Sequence, residues 1–491
     1  MNGPSNAQAS SDHPGGIVLR VQDLGIELLP QPPIKPGRTL LQGCSFELRA
    51  GERLTLVGES GAGKSLLAQA IMGTLPAAMQ VRGCVQIVGI DTNGQRGLSQ
   101  PLWGRQIVML PQEPWSALNP VMRLRTQVAE AGRYAAGDPW LRAFEKADER
   151  LAALGLAHAG QQWLHQVSGG MAQRVGLACA SQSNPSVLIA DEPTKGLDSG
   201  ACVQVAQLLA QAQSNGQALL TITHDLDLAL QLGGRMAVMR HGQIVEAGSV
   251  VSVLDAPKHP YTQALIAAQT RHWPHMAGAP RGAGSQAVVV ADDIGVRFGE
   301  RDVLRGARLP IEEGESVAVV GPSGCGKTTL GNVMVGALKP DRGSVLRRPG
   351  VPAWRFQKLY QDPVASFAPL QTIRRGIQDL MRLHRLDDRP ITHWLERLHL
   401  ADELLERRPH EVSGGELQRL AILRVMLLQP VFVFADEPTS RLDALTQRDT
   451  MAALCQALAD SGSAMLLVSH DRHLAQNTTH RQLRLDQTRL S

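Results

Sequence analysis

Gly58-Glu59-Ser60-Gly61-Ala62-Gly63-Lys64-Ser65 decides the reading of this chain, because it occurs twice. Its second copy is Gly321-Pro322-Ser323-Gly324-Cys325-Gly326-Lys327-Thr328, followed by Thr329. Both copies match G-x-x-x-x-G-K-[ST]. Leu54-Thr55-Leu56-Val57 precedes the first and Ser316-Val317-Ala318-Val319-Val320 the second, and each reads as a short buried strand. Helix-forming sequence follows both. That strand, loop and helix context separates a phosphate-binding loop from a glycine-rich surface turn. The glycines let backbone N–H groups turn toward phosphate oxygens, helped by the positive helix end. Lys64 and Lys327 are then expected to neutralise the β- and γ-phosphates, with Ser65 and Thr328 offering hydroxyls to Mg²⁺.

Other landmarks repeat in the same order. Lys64 and Lys327 lie 263 residues apart, Ser168 and Ser413 lie 245 apart, and His224 and His470 lie 246 apart. The later offsets agree, as a duplication requires. The early difference arises between Lys64 and Gln112, a span of 48 residues that shrinks to 34 between Lys327 and Gln361. A small β excursion is expected to be trimmed in the second half.

Val187-Leu188-Ile189-Ala190-Asp191-Glu192 and Val431-Phe432-Val433-Phe434-Ala435-Asp436-Glu437 are apolar strands ending in paired acids. Two carboxylates at a buried strand end are costly unless a cation sits there. Asp191 and Asp436 are candidates for the Mg²⁺ shell, and Glu192 and Glu437 for the general base that polarises the attacking water. His224 and His470 end further apolar runs at matched positions and are candidate γ-phosphate contacts. Ser168-Gly169-Gly170 and Ser413-Gly414-Gly415 precede helix-forming sequence. A serine-led turn there is a helix cap, and a second anion cradle if it closes over a nucleotide.

At 491 residues the chain is long enough for two large α/β domains, and its 43% apolar fraction supports two cores. The net charge of +4 gives no support to nucleic-acid binding. Six scattered cysteines without a C-x-x-C pair argue against zinc or a disulfide framework. No apolar run approaches the ~20 residues that cross a bilayer. Residues 1–16 read as a disordered tail, 17–271 as the first domain, 272–286 as a linker rich in turn formers, and 287–491 as the second domain.

Taken together, the phosphate loops, Gln112 and Gln361, the serine-led turns, the acidic strands, the Leu197-Asp198 and Leu442-Asp443 turns and the histidines closely resemble the ABC-type ATPases. The resemblance covers nearly the whole chain. It implies two tandem P-loop NTPase domains of α/β class, each a RecA-like core with an antiparallel β subdomain and a helical signature subdomain. It further implies two ATP molecules clasped between head-to-tail lobes, with Ser413, Gly414 and Gly415 facing the loop of Lys64 and Ser168, Gly169 and Gly170 facing that of Lys327. Gln112 and Gln361 take the place of the residues that contact the metal and the attacking water. Phe298 stands where the family stacks an aromatic on adenine, whereas the first half offers Leu28. The signature's last position is Met171 or Glu416 instead of the commoner glutamine.

The segments Gln112-Glu113-Pro114-Trp115 and Gln361-Asp362-Pro363-Val364, with Asp255-Ala256-Pro257-Lys258-His259-Pro260-Tyr261-Thr262, are similar to the peptide/nickel import branch. That branch implies an energy-coupling subunit held at the cytoplasmic face of the inner membrane by two integral-membrane permease subunits. An extracytoplasmic binding protein would deliver a peptide, nickel or a metal–chelate complex. Two other readings stay open: a soluble twin-lobe ATPase acting on ribosomes, which usually has a long charged helical linker, and a component of a phosphonate-type metabolic complex.

Overall fold

The computed structural model describes residues 16–29, 37–195, 197, 199–214, 216–278, 286–322, 324–387, 390–486 and 488–490. The tail expected over 1–16 therefore lies, except for Gly16, outside the described residues, as do Ser323 and Asp198. The chain divides into two compact units, Met1–Gln263 and Ala264–Ser491.

In the first unit, six strands form the central sheet in the order Gln243–Ser249, Arg235–Arg240, Arg53–Val57, Ala218–Thr223, Val187–Asp191 and Ile107–Leu110. All neighbours run parallel except the first pair. Val187–Asp191 and Ala218–Thr223 are buried at every position, as strands covered on both faces must be. A separate antiparallel sheet is built on Ile17–Leu28, flanked by Arg38–Arg49 and Met79–Ile87. It alternates buried and open residues and shares one core with the central sheet through Leu19, Leu24, Leu54, Leu56 and Ile189. The helices Leu124–Ala131, Trp140–Ala153 and Gly169–Ala180 close over a second core containing Leu124, Val128, Leu151 and Val175.

Independent of that arrangement, the second unit repeats its plan. Its central sheet runs Phe356–Leu359, Phe432–Asp436, Ala464–Ser469, Ser316–Val320, Arg481–Asp486 and Arg489–Leu490, parallel until the last pair. Its antiparallel sheet has three strands, Arg301–Glu312, Ala287–Phe298 and Arg342–Arg347. The first unit continues its sheet with the short strand Ile90–Asp91 and the helical turn Arg96–Ser99. Between Arg347 and Phe356 the second unit has only the 3-10 turn Ala353–Arg355, which locates the missing residues.

Part of the stretch read as a linker is docked on the second unit. Trp273 is 5% exposed within the core that holds Leu454, Leu458 and Leu474. Its Nε1 donates to Ala268 O at 2.8 Å, and Asn477 Nδ2 donates to Thr270 O at 2.8 Å. One large ring surrounded by prolines and glycines carries no periodicity, so the sequence pattern did not reveal the docking. Residues 279–285 lie outside the described residues.

Candidate nucleotide sites

Each phosphate loop leaves the end of a central strand and enters a helix, Lys64–Met72 or Lys327–Val335. The first glycine is demanded by close approach: a Cβ on Gly58 would lie 2.3 Å from Met239 O, and one on Gly321 2.3 Å from Leu485 O. The last glycine is demanded by conformation, with φ +98° at Gly63 and +106° at Gly326. Lys64 is 7% exposed and donates to Gly58 O at 2.8 Å and Glu59 O at 3.0 Å. Lys327 is held in the same way by Gly321 O and Pro322 O, both at 2.8 Å. Two buried ammonium groups thus stand inside two loops of backbone polar groups.

The acidic strand ends come to these loops. Thr328 Oγ1 donates to Asp436 Oδ1 at 2.9 Å. In the first unit Ser65 favours the ionised form of Asp191, whose Oδ1 is buried without a hydrogen-bond partner. Burial pushes the Asp191 carboxyl above its ordinary range, against Ser65 and the nearby Lys64 and Lys195 charges. The next residue breaks the strand conformation in both units, with φ +47° at Glu192 and +46° at Glu437. Such backbone is uncommon for a glutamate and points to a constrained site. Glu192 N still bonds Ile222 O at 2.7 Å, and Glu437 N bonds Val468 O at 3.0 Å.

Each glutamate meets its histidine, His224 Nδ1 to Glu192 Oε2 at 2.8 Å and His470 Nε2 to Glu437 Oε1 at 2.5 Å. Burial raises the Glu192 pKa, but the His224 bond and charge, with Lys64 and Lys195, outweigh it and leave the carboxyl below its usual range. The residue after each histidine caps the following helix: Asp225 accepts from Asp227 N at 2.8 Å, and Asp471 from Leu474 N at 3.0 Å. Gln361 Nε2 donates to Glu437 Oε2 at 3.0 Å, joining a third predicted residue to the pair. Gln112 follows the strand Ile107–Leu110 at the matched place.

Ser168 and Ser413 are N-caps of Gly169–Ala180 and Gly414–Leu427, accepting from Met171 N at 3.3 Å and Glu416 N at 3.4 Å. Glu416, in the place of the usual glutamine, returns its carboxylate to Ser413 N at 3.1 Å and completes a capping box. Phe298 ends its strand with 56% exposure.

Two contacts were not read from sequence. Tyr261 Oη accepts the Glu59 N–H at 2.8 Å, and Lys358 Nζ lies 3.3 Å from Asp436 Oδ2. The lysine carried a signal, the one charge in the short strand before Gln361, whereas the tyrosine's partner is set only by folding.

The ABC transporter family matches residues 41–195 and 304–440, and the oligopeptide/dipeptide transporter C-terminal region matches 245–303. The peptidoglycan transport ATP-binding protein YejF of Agrobacterium fabrum is 34% identical, over 87% of this chain and 84% of its own. The glutathione import ATP-binding protein GsiA of Escherichia coli is 32% identical, over 96% of this chain and 85% of its own. Among solved structures, the RNase-L inhibitor shares the fold with a TM-score of 0.62 at 20% identity, over 90% of this chain and 86% of its own. With two matched cassette regions and relatives aligned along most of its length, this chain belongs to the ATP-binding proteins of the ABC transporter family, a family of ATPases.

Proposed function

We propose that the chain is the energy-coupling ATPase of an importer for short peptides or peptide-bearing solutes. The observation that carries this reading is the peptide-transporter segment 245–303, whose Tyr261 is seated on the first phosphate loop. Two relatives are named for glutathione and peptidoglycan, both peptide-bearing, which favours that class over nickel or a metal chelate. The ribosome-associated reading has only a fold likeness at 20% identity behind it.

In this mechanism Lys64 and Lys327 bind the β- and γ-phosphates. Ser65 with Asp191, and Thr328 with Asp436, would hold Mg²⁺; the buried, unpartnered Asp191 Oδ1 is what fits a cation there. When bound, the ion neutralises phosphate charge. Glu192 and Glu437 accept the proton of the water that attacks the γ-phosphorus, while His224 and His470 hold their carboxylates in line. A depressed Glu192 pKa keeps that base ionised at neutral pH. Gln361 fixes Glu437 from the other side, and Phe298 offers an open ring to the adenine.

Each unit owns one phosphate cradle and one serine-capped helix end. The second is most useful if it closes over a nucleotide held by the other unit, so we assign Ser413, Gly414 and Gly415 to the Lys64 site and Ser168, Gly169 and Gly170 to the Lys327 site. Binding then draws the units together and hydrolysis releases them. The segments after Gln112 and Gln361 pass that motion to two membrane permeases, supplied by an extracytoplasmic binding protein. Among the described residues no helix is long and apolar enough to cross a membrane, so permeases must supply the pore.

Glu192→Gln with Glu437→Gln tests the chemistry: ATP binding is expected to persist while turnover falls by about 10²–10⁴-fold. Recovery of the tagged chain from solubilised membranes is expected to bring two permeases with it. Unchanged hydrolysis removes the base assignment, and recovery with ribosomal subunits replaces the importer.

A further inference from the structure

The two units answer their strand-end aspartates differently. Gln112 and Gln361 are 249 residues apart, and the same offset places Lys358 where the first unit has Met109. The sheets agree: Met109 pairs with Ile189 in the parallel register, and Lys358 pairs with Phe434, the matched residue. Lys358 Nζ lies 3.3 Å from Asp436 Oδ2 and donates to Asn332 Oδ1 at 2.9 Å. It also sits 5.0 Å from the ring centres of Phe434 and Tyr360. The lysine side chain is 15% exposed and the aspartate's 10%.

A lysine is buried only where other groups replace its lost water. Here a carboxylate, an amide oxygen and two ring faces do so. Thr328 engages the other oxygen of Asp436, so both of its oxygens have partners. Asp191 keeps one buried oxygen unanswered: thioether Met109 brings it no charge, and Lys195, whose charge acts on it, is exposed. The residues that would hold a divalent ion are thus present twice, but in one set a buried ammonium is already paired with the aspartate itself.

We propose that Lys358 makes the second unit's site charge-compensated, so that it binds the divalent ion more weakly than the first and holds ATP with less need of it. This rests on reading both phosphate loops as nucleotide sites. A fixed ammonium against the same carboxylate repels an incoming dication and supplies part of the neutralisation that the phosphates require. Methionine at the matched position does neither.

The test uses the full chain with a non-hydrolysable ATP analogue, nucleotide stoichiometry by equilibrium dialysis, and Mn²⁺ binding by electron paramagnetic resonance. Two nucleotides and two Mn²⁺ classes, separated by about tenfold or more, are expected. Lys358→Met should merge them into one tight class, whereas Lys358→Arg should keep the weak class. Met109→Lys should weaken the first site, and it decides the matter if Lys358→Met does not fold. Equal Mn²⁺ classes in the wild-type chain, or a weak class surviving Lys358→Met, overturns the proposal. Failure to bind two nucleotides overturns the reading of the loops beneath it, and the proposal with it.

Discussion

Tyr261 reaches back 202 positions to accept the backbone N–H of Glu59 at 2.8 Å, tying the start of the first phosphate loop to the end of its unit. The ring is 4% exposed, with the Arg240 guanidinium 4.9 Å from its centre. Its approach is fixed by Glu246, whose carboxylate accepts from Lys258 N at 2.8 Å and His259 N at 3.0 Å. The loop proposed to cradle phosphate is therefore braced by the segment that matches the oligopeptide/dipeptide transporter C-terminal region.

Tyr261→Phe keeps the ring and removes the acceptor. Leaving the Glu59 N–H unpaired costs about 1–3 kcal/mol. If a part of that appears in binding, ATP affinity at the first site should fall by about fivefold, since ~1 kcal/mol corresponds to that factor. Titration with a fluorescent ATP analogue in a Lys327→Ala background reads the first site alone. Unaltered affinity and unaltered melting would make the brace dispensable.

Asp191→Asn should stabilise the nucleotide-free chain. Burial raises the Asp191 pKa, so its ionised form is disfavoured by folding. For an acid shifted upward, the cost is present above the folded-state pKa and disappears as pH falls below the unfolded-state value. The first unit of the variant should melt about 2–4 °C higher at pH 8, for ~1 kcal/mol, and the gain should shrink on acidification. Stabilisation by Mg²⁺ with ATP should be lost from that unit. A variant that melts lower at pH 8 would show that the carboxylate is structural.

Two glycine substitutions separate folding from function. Gly58→Ala drives a Cβ into Met239 O and should cost about 1–3 kcal/mol, read by urea unfolding. At Gly169 nothing lies within 4 Å of an added Cβ, so melting of Gly169→Ala should stay within about 0.5 kcal/mol of wild type. Its ATPase rate should nevertheless fall, because the turn is assigned to a nucleotide. Full ATPase in Gly169→Ala would take the turn out of the site.

Trp273→Ala tests whether the stretch read as a linker is part of the second unit's fold. Truncating a buried tryptophan costs about 3–5 kcal/mol. The unfolding transition of the second unit should move down while the first stays in place. Equal shifts in both, or none, would contradict the packing of Trp273 against Leu454 and Leu458.

The repeated loops, acidic strands, serine caps and histidines were legible in the chain because each depends on local chemistry. A phosphate loop needs its glycines to turn and its lysine to point inward, whatever surrounds it. Strands buried on both faces announce themselves as unbroken apolar runs. Spacing then showed that everything occurs twice.

Partners could not be read in that way. Lys358 was visible as an odd charge, but its meeting with Asp436 follows from Phe356–Leu359 lying beside Phe432–Asp436 in the sheet. Tyr261 finds Glu59, and Trp273 enters the core around Leu454, through contacts that close long stretches of chain. Backbone propensities and short motifs act within a few residues, whereas these pairings depend on strand order and on which surfaces packing excludes from water. Sequence alone pointed to the chemistry each unit is proposed to carry; tertiary structure decided which charge, hydroxyl or ring stands against it.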